Sequence, residues 1–320
     1  MLDNSRLYMI HCMSPVHVGA GQGVGVIDQP IMREKATEWP FIPGSSIKGV
    51  HREYFRQKRS NMRSDIAGTS GNGEEDEWVA AAFGKSSDTA DMGNAGALVM
   101  SDARILAFPV ASMNGTFAYV TCPLVLKRLQ RDLDVMNLKM PALDWDALEQ
   151  KLDSVRMDHE MKGYVIISHG SKLTGQNDTV FLDEFESDAL KDESFTQWSE
   201  WLADQVATDD ISGKLIKERT ALVSDDAFQY FVTMCSEITA RIRMDPERKT
   251  VEDGALWYEE YLPAESILYG LIWCDFKPAG GWTERDLLNA FPAEGAYLQL
   301  GGNASVGKGR VRCVYVGRES

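Results

Sequence analysis

Gly302-Asn-Ala-Ser-Val-Gly-Lys308, followed by Gly309 and then Arg310-Val-Arg-Cys-Val-Tyr-Val316, is the stretch on which the fold turns. Its first seven residues satisfy G-x-x-x-x-G-K, the opening of a nucleotide phosphate loop. That loop needs Ser or Thr next, to hold Mg2+, and a helix whose N-terminus faces the phosphates. Here the next residue is Gly309, and residues 310–316 read as a strand. Nucleoside triphosphate hydrolysis is therefore disfavoured. Two readings remain: a cradle of backbone N–H groups plus Lys308 for a nucleic-acid phosphate, or a glycine-rich turn between strands.

Upstream of that loop the second half reads as a strand from Ala221, a helix over 225–235 capped by Ser224, and a strand over 237–243. A hairpin pair near 255–262 and 266–275, a helix at 283–289 and a strand at 297–300 follow. The first half opens with a strand over 7–13 and a glycine-rich loop from Ser14 to Gly25. Pro43-Gly-Ser-Ser46 then starts a helix, with serine as cap and Ile47, Val50 and Tyr54 as apolar face. Strands at 97–100, 104–110 and 116–121 and a helix over 124–134 complete it. This β-α-β-β order in each half predicts an α+β fold, ferredoxin-like (RRM-like), rather than a doubly wound parallel sheet. A single domain is expected, with its core in 1–60, 96–134 and 215–320 and insertions at 60–95 and 135–214. The second insertion includes a helix at 195–206 and two β-rich runs, 164–168 and 179–185. The polar Gly170-Ser-Lys-Leu-Thr-Gly-Gln-Asn177 joins them, which predicts a projecting thumb-like hairpin with Lys172 and Leu173 at its tip.

A chain of 320 residues, 44% hydrophobic, can bury a large core. No apolar run is long enough to cross a bilayer, and the N-terminus lacks a secretory pattern. Cys12, Cys122, Cys235, Cys274 and Cys313 are scattered and odd in number, which argues against a disulfide framework or a structural zinc and makes a reducing cytoplasm the expected location. The net charge of −15 argues at face value against nucleic-acid binding, but the charges are segregated. Residues 45–63 carry Lys48, Arg52, Arg56, Lys58, Arg59 and Arg63 against Glu53 alone. Further bases cluster at Lys127, Arg128 and Arg131, and at Lys308, Arg310, Arg312 and Arg318, while the acids gather in 74–77, 183–193 and 204–210. A polyanion-facing surface and a merely solvated basic face both fit these blocks.

Two groups of residues have the chemistry of a site. His17 and Asp28 flank the glycine-rich loop and would make an acid–base pair, although a structural histidine and a turn-forming aspartate fit as well. In Trp257-Tyr-Glu-Glu-Tyr-Leu-Pro263, an extended backbone sends Glu259 and Tyr261 to one face and Tyr258 and Glu260 to the other. One face would then offer RNA a carboxylate and a stacking ring; the alternative is a strand edge with aromatic core residues.

Five segments together resemble the RAMP superfamily, and more narrowly the repeating backbone subunits of type III-B CRISPR effector complexes. They are Ser14-Pro-Val-His-Val-Gly-Ala-Gly21, Val26-Ile-Asp-Gln-Pro-Ile31 with Arg33-Glu34, Pro40-Phe-Ile-Pro-Gly-Ser-Ser-Ile-Lys-Gly49, Leu256 to Pro263, and Leu300 to Arg310. The resemblance implies a RAMP fold whose copies stack along a CRISPR guide RNA, beside other subunits of the complex and away from any membrane. A thumb hairpin would displace one base at intervals, and paired single-stranded target RNA would be cut beside each displaced base. It implies Asp28 as the essential aspartate, with His17, Glu259 and Tyr261 in support. Ser45, Ser46, Lys48 and Arg52 at the helix start, and Gly302, Lys308 and Arg310 in the loop, match guide contacts. The reaction implied depends on Mg2+ or another divalent metal, with Asp28 as metal ligand or base. RNA can supply its own 2′-hydroxyl nucleophile, so a sparse protein site suffices. A non-cleaving backbone subunit is the alternative, which an intact Asp28 disfavours; a guide-processing endonuclease is a further one, disfavoured by the Asp28 and Trp257–Pro263 segments.

Overall fold

Strand Ser5–Cys12 is buried from Leu7 onward because sheet neighbours cover both of its edges. Arg310–Val316 pairs with it on one side and Ile267–Cys274 on the other, both antiparallel. Ala296–Gln299 extends the sheet beyond 310–316, and Leu98–Met100 and Ala103–Ser112 extend it beyond 267–274. The computed structural model describes residues 5–21, 23, 27–67, 77–85, 95–153, 163–245 and 247–317, without the side chains of 61–67 and 253. Residues 68–76 and 86–94 of the expected 60–95 insertion, Gly25 and Arg318 lie outside the described residues, as does the side chain of Arg63.

Helix Gly44–Ala67 lies against this sheet through Ile47, His51 and Phe55, all buried. Its first N–H, from Gly44, is taken by Asp102 Oδ1 at 2.7 Å, so a residue distant in sequence rather than a neighbouring serine meets the expected need for an acceptor. Gly270 is required where Tyr8 crosses the neighbouring strand, since a Cβ there would lie 2.3 Å from the Tyr8 hydroxyl.

Strand Ala103–Ser112 is long enough to leave the first layer and begin a second. Its far end pairs with Thr116–Thr121, which runs parallel to Thr220–Leu222. Gly163–Ile167, Phe185–Lys191 and Thr179–Leu182 follow in order, and Leu182 pairs back to Ser112. The result is a partial barrel continuous with the first sheet, and the mixed α+β class is as expected.

Two sequence expectations fail here. The runs at 164–168 and 179–185 do not form a projecting thumb: Gly163–Ile167 pairs in parallel with Phe185–Lys191, inside the barrel wall. Leu173 is fully buried, and the Lys172 N–H is bonded to the Glu218 carbonyl, so the polar connection folds back instead of standing out. Nor do 255–262 and 266–275 make a hairpin. Val251–Tyr261 pairs instead with Glu237–Met244 as a separate two-stranded ribbon, while 267–274 belongs to the main sheet.

His51 offers a titration that reports on this core. Its Nδ1 donates to the Ile47 carbonyl at 2.8 Å and its Nε2 accepts from the Tyr315 hydroxyl at 2.7 Å. Burial lowers its pKa to about 4, against the Ile47 bond, which raises it. The unfolded chain therefore binds more protons at this position between about pH 6.5 and 4, and stability falls as pH drops through that window. Denaturant unfolding at pH 7 and pH 4 should show a smaller acid loss for His51→Gln than for the natural chain, by on the order of 3 kcal/mol.

Candidate active site

The described residues between 13 and 40 form little regular structure of their own and borrow order from strand Val251–Tyr261 and the residue after it. Val16 pairs with Leu262, Gln29 with Glu259, and Gly19 with Ile31. The loop thus lies along the edge of the strand opposite Glu237–Met244. A buried carboxylate closes the arrangement. Glu260 accepts from the Ile31 N–H at 3.0 Å, from Ser236 Oγ at 2.7 Å and from Arg33 Nη2. Arg33 also donates to the Glu38 carbonyl at 2.6 Å and the Val232 carbonyl at 2.9 Å, tying the loop to helix Asp225–Met234.

Asp28 stands exposed at this seam. Its Oδ2 accepts the Tyr258 N–H at 2.8 Å, while Gln29 exchanges backbone hydrogen bonds with Tyr258 and Glu260 on either side of Glu259. Oδ1 has no hydrogen-bond partner among the described residues, so the carboxylate is fixed by one oxygen and open at the other.

His17 is nearly buried, with Nδ1 2.7 Å from the Glu260 carbonyl. A carbonyl only accepts, so Nδ1 carries the hydrogen and Nε2 keeps its lone pair in the neutral ring. Its ring centroid is 5.6 Å from that of Tyr261. The glycine-rich loops shape this position: a Cβ on Gly19 would lie 2.9 Å from His17 Nε2, and one on Gly301 would lie 2.0 Å from the His17 carbonyl oxygen.

Glu259 and Tyr261 share a face, as the alternation predicts, and each is already engaged. Glu259 accepts from Trp257 Nε1 at 2.9 Å, from Asn303 Nδ2 at 2.9 Å and from the Tyr261 hydroxyl, and Arg241 Nε lies 3.2 Å away. Burial works to raise its pKa, but the hydrogen bonds from Tyr261 and Trp257 and the charges of Arg241 and His17 outweigh it and hold the group below the usual carboxylate range. The Tyr261 hydroxyl also accepts from Asn303 at 2.9 Å, and burial together with the Glu259 charge pushes its pKa up to about 12. Near neutral pH, Glu259 stays ionised and Tyr261 neutral. Both act as anchors for their neighbours rather than as proton carriers.

The expected RNA contacts fall into two places. Ser45, Lys48 and Arg52 line a cleft of about 570 Å³ with Lys85 and the exposed Phe276, and Ser46 lies half-exposed beside it. Lys48 Nζ donates to the Leu98 carbonyl at 2.8 Å, and burial with the nearby Arg52 charge lowers its pKa. Gly302 and Lys308 instead join the His17 group. The Gly302 N–H bonds the His17 carbonyl at 2.9 Å, while Lys308 Nζ pairs with Glu237 at 3.0 Å and sits 4.6 Å over the Tyr261 ring. Arg310 is exposed at the base of the loop, where its N–H bonds Ser14 Oγ. The basic run 127–131 is spent on acids: Lys127 on Glu149, Arg128 on Glu34 and Arg131 on Asp132.

Among the described residues no group of three or more His, Cys, Asp or Glu is arranged to hold a metal ion. The open oxygen of Asp28 fits the kind of site in which Mg2+ takes one or two carboxylates and completes its shell with substrate phosphates and water. Sequence reasoning passed over Arg241, Trp257 as a donor, Asn303 and the Glu260–Arg33 pair. Arg241 had a readable signal, since in a ribbon it faces Trp257 directly.

Comparison with known proteins shows the family of the chain. The sequence profile of the RAMP superfamily matches residues 9–312. The CRISPR system Cmr endoribonuclease Cmr4 of Pyrococcus furiosus is 34% identical over 305 residues, covering 95% of this chain and 92% of that protein. The crystal structure of oligomeric Cmr4 from the same organism superposes with a TM-score of 0.67 at 27% identity, covering 99% of each chain. A chain of the type III-B Cmr-beta complex bound to cognate target RNA, at 20% identity, has the same fold, with a TM-score of 0.66 over 97% of this chain and 96% of that one.

Gly301 tests the coupling between the C-terminal loop and His17. Its φ of +72° and the missing Cβ are both required, so Gly301→Ala should destabilise the chain by at least about 1 kcal/mol in denaturant unfolding. It should also lower any activity that depends on His17.

Proposed function

The chain belongs to the RAMP superfamily, and from that premise we propose that it binds CRISPR guide RNA as a repeating subunit of a type III-B complex and cuts the paired target RNA at regular intervals. One observation carries this reading: Asp28 is held by one carboxylate oxygen at an exposed seam, with the other oxygen open and His17 bonded to the same strand. The 34% identity to a Cmr endoribonuclease supports cleavage, and the likeness to an oligomeric Cmr4 supports stacking of copies.

The chemistry needs little from the protein. The target's 2′-hydroxyl attacks the adjacent phosphorus, the O2′–P bond forms and the P–O5′ bond breaks, leaving a 2′,3′-cyclic phosphate and a 5′-hydroxyl. Asp28 takes the 2′-proton, and His17 Nε2, when protonated, supplies a proton to O5′. Glu259 and Tyr261 hold the surrounding groups in place. Mg2+ or another divalent ion would neutralise phosphate charge when bound, held by RNA phosphate oxygens or, in place of its role as base, by Asp28.

The thumb is the ribbon Glu237–Met244 with Val251–Tyr261. One of its faces carries Ile238, Ile242, Leu256 and Tyr258, all exposed, and such a face suits insertion between bases. The strand order 310–316, 5–12, 267–274, 98–112, with helices before the second and fourth members of the chain's own sequence, is read as a ferredoxin-like unit, and the whole chain as one RAMP domain. The cleft of Lys48 and Arg52 is the guide-backbone site. Cytoplasmic residence follows from this role; no described helix is long and apolar enough to cross a membrane.

Asp28→Ala should abolish cleavage of guide-paired RNA while leaving assembly and target binding intact. Fragment ladders on sequencing gels give the readout, and an undiminished ladder would overturn the assignment. Lys48→Glu should weaken guide binding whatever the guide sequence and reduce the slope of log affinity against log salt by about one.

A further inference from the structure

The substrate-facing groups of this site can be found by asking which of them still have an unused hydrogen-bonding position. Glu259 is buried and each of its oxygens is already engaged, Oε1 by Trp257 and Oε2 by Asn303, Tyr261 and the ion pair with Arg241. Tyr261 donates to Glu259 and accepts from Asn303. Lys308 is paired with Glu237 and stacked on Tyr261. Arg241 differs: its Nε faces Glu259, and neither Nη group has a partner among the described residues.

Arg241 is also well placed. It lies directly across the ribbon from Trp257, and the next N–H along that strand, from Tyr258, holds Asp28. Its side chain is 29% exposed while that of Glu259 is 5% exposed, so the guanidinium reaches outward from a buried tether. A guanidinium ion-paired at its Nε edge can present its other N–H groups outward as a planar fork, the geometry that matches two phosphate oxygens. During 2′-hydroxyl attack the phosphorus becomes five-coordinate and its non-bridging oxygens gain negative charge. A preorganised donor pair aimed at those oxygens stabilises that state more than the starting phosphodiester.

We propose that Arg241, oriented by Glu259, contacts the non-bridging oxygens of the scissile target phosphate and stabilises their charge during cleavage. This deepens the reading that the chain cuts RNA and rests on it. It also gives Glu259 its role: the carboxylate positions the arginine and does not itself take a proton.

The test is single-turnover cleavage of target already bound to the guide-loaded complex, comparing the natural chain with Arg241→Ala and Arg241→Lys. Arg241→Ala should slow cleavage by roughly 100-fold or more with target affinity little changed. Free guanidinium ion, added well below denaturing concentration, should restore part of the rate to Arg241→Ala and none to Arg241→Lys, whose ammonium fills the space without the fork. A sulfur in place of a non-bridging oxygen at the cut site should slow the natural chain more than Arg241→Ala. Cleavage by Arg241→Ala at the natural rate overturns the proposal. So does a loss that guanidinium fails to restore while Arg241→Lys retains full rate, because Arg241 would then be only a counter-charge for Glu259. Asp28→Ala run in parallel separates the two levels: if it too cuts normally, the cleavage assignment itself is wrong, whereas its inactivity beside an active Arg241→Ala removes only the arginine's role.

Discussion

Glu260 is buried to 3% exposure, and the Asp28 loop is held where it is because that carboxylate must be satisfied. A buried ionised carboxylate without donors is prohibitive, and here the donors come from the Ile31 N–H, Arg33 and Ser236. Two of these donors lie on the loop and the third follows helix Asp225–Met234, so one charge draws two parts of the chain onto the ribbon's base. Its backbone carbonyl then sets the tautomer of His17. Replacing Glu260 with an apolar residue would leave the partly buried Arg33 guanidinium without its counter-charge, held only by the Glu38 and Val232 carbonyls, and would strip the Ile31 N–H and the Ser236 hydroxyl of their acceptor. The site is therefore only as ordered as this pair.

The division of labour along residues 257–261 follows from that anchorage. Glu260 faces inward and holds the loop, while Glu259, on the opposite face, collects donors from Trp257, Tyr261 and Asn303. Neither carboxylate is available for proton transfer, and Asp28, exposed and half-satisfied, is. One open carboxylate and one imidazole suit a reaction whose nucleophile arrives with the RNA, since the protein then has mainly to align groups and meet developing charge.

Much of this was legible in the primary structure where local geometry decides the outcome. Alternation placed Glu259 with Tyr261 and Glu260 on the other face, and the missing helix after Gly309 removed the nucleotide-loop reading; the strand Arg310–Val316 is there. What failed required knowing a partner distant in sequence. The connection 170–177 is polar in composition, yet Leu173 inserts into the core and the flanking strand pairs in parallel, a register no short-range signal announces. The exposed face of Ile238, Ile242 and Leu256 has the apolar alternation of a buried strand, because the pattern says which face is apolar and not what covers it. Likewise Lys127 and Arg128 read as part of a basic patch until their partners Glu149 and Glu34, distant in sequence, are seen.

The same distinction resolves the charge of −15 in a chain read as binding RNA. At physiological ionic strength the Debye length is about 8 Å, so a phosphate in the Lys48–Arg52 cleft is governed by nearby cations and little by acids on remote elements. The surplus acids still act where copies approach one another, because like-charged surfaces repel unless specific groups meet. A chain this acidic gains nothing from non-specific attraction to nucleic acid. The stacking proposed for it would therefore depend on contacts in fixed register, phosphate against the cleft and one copy against the next.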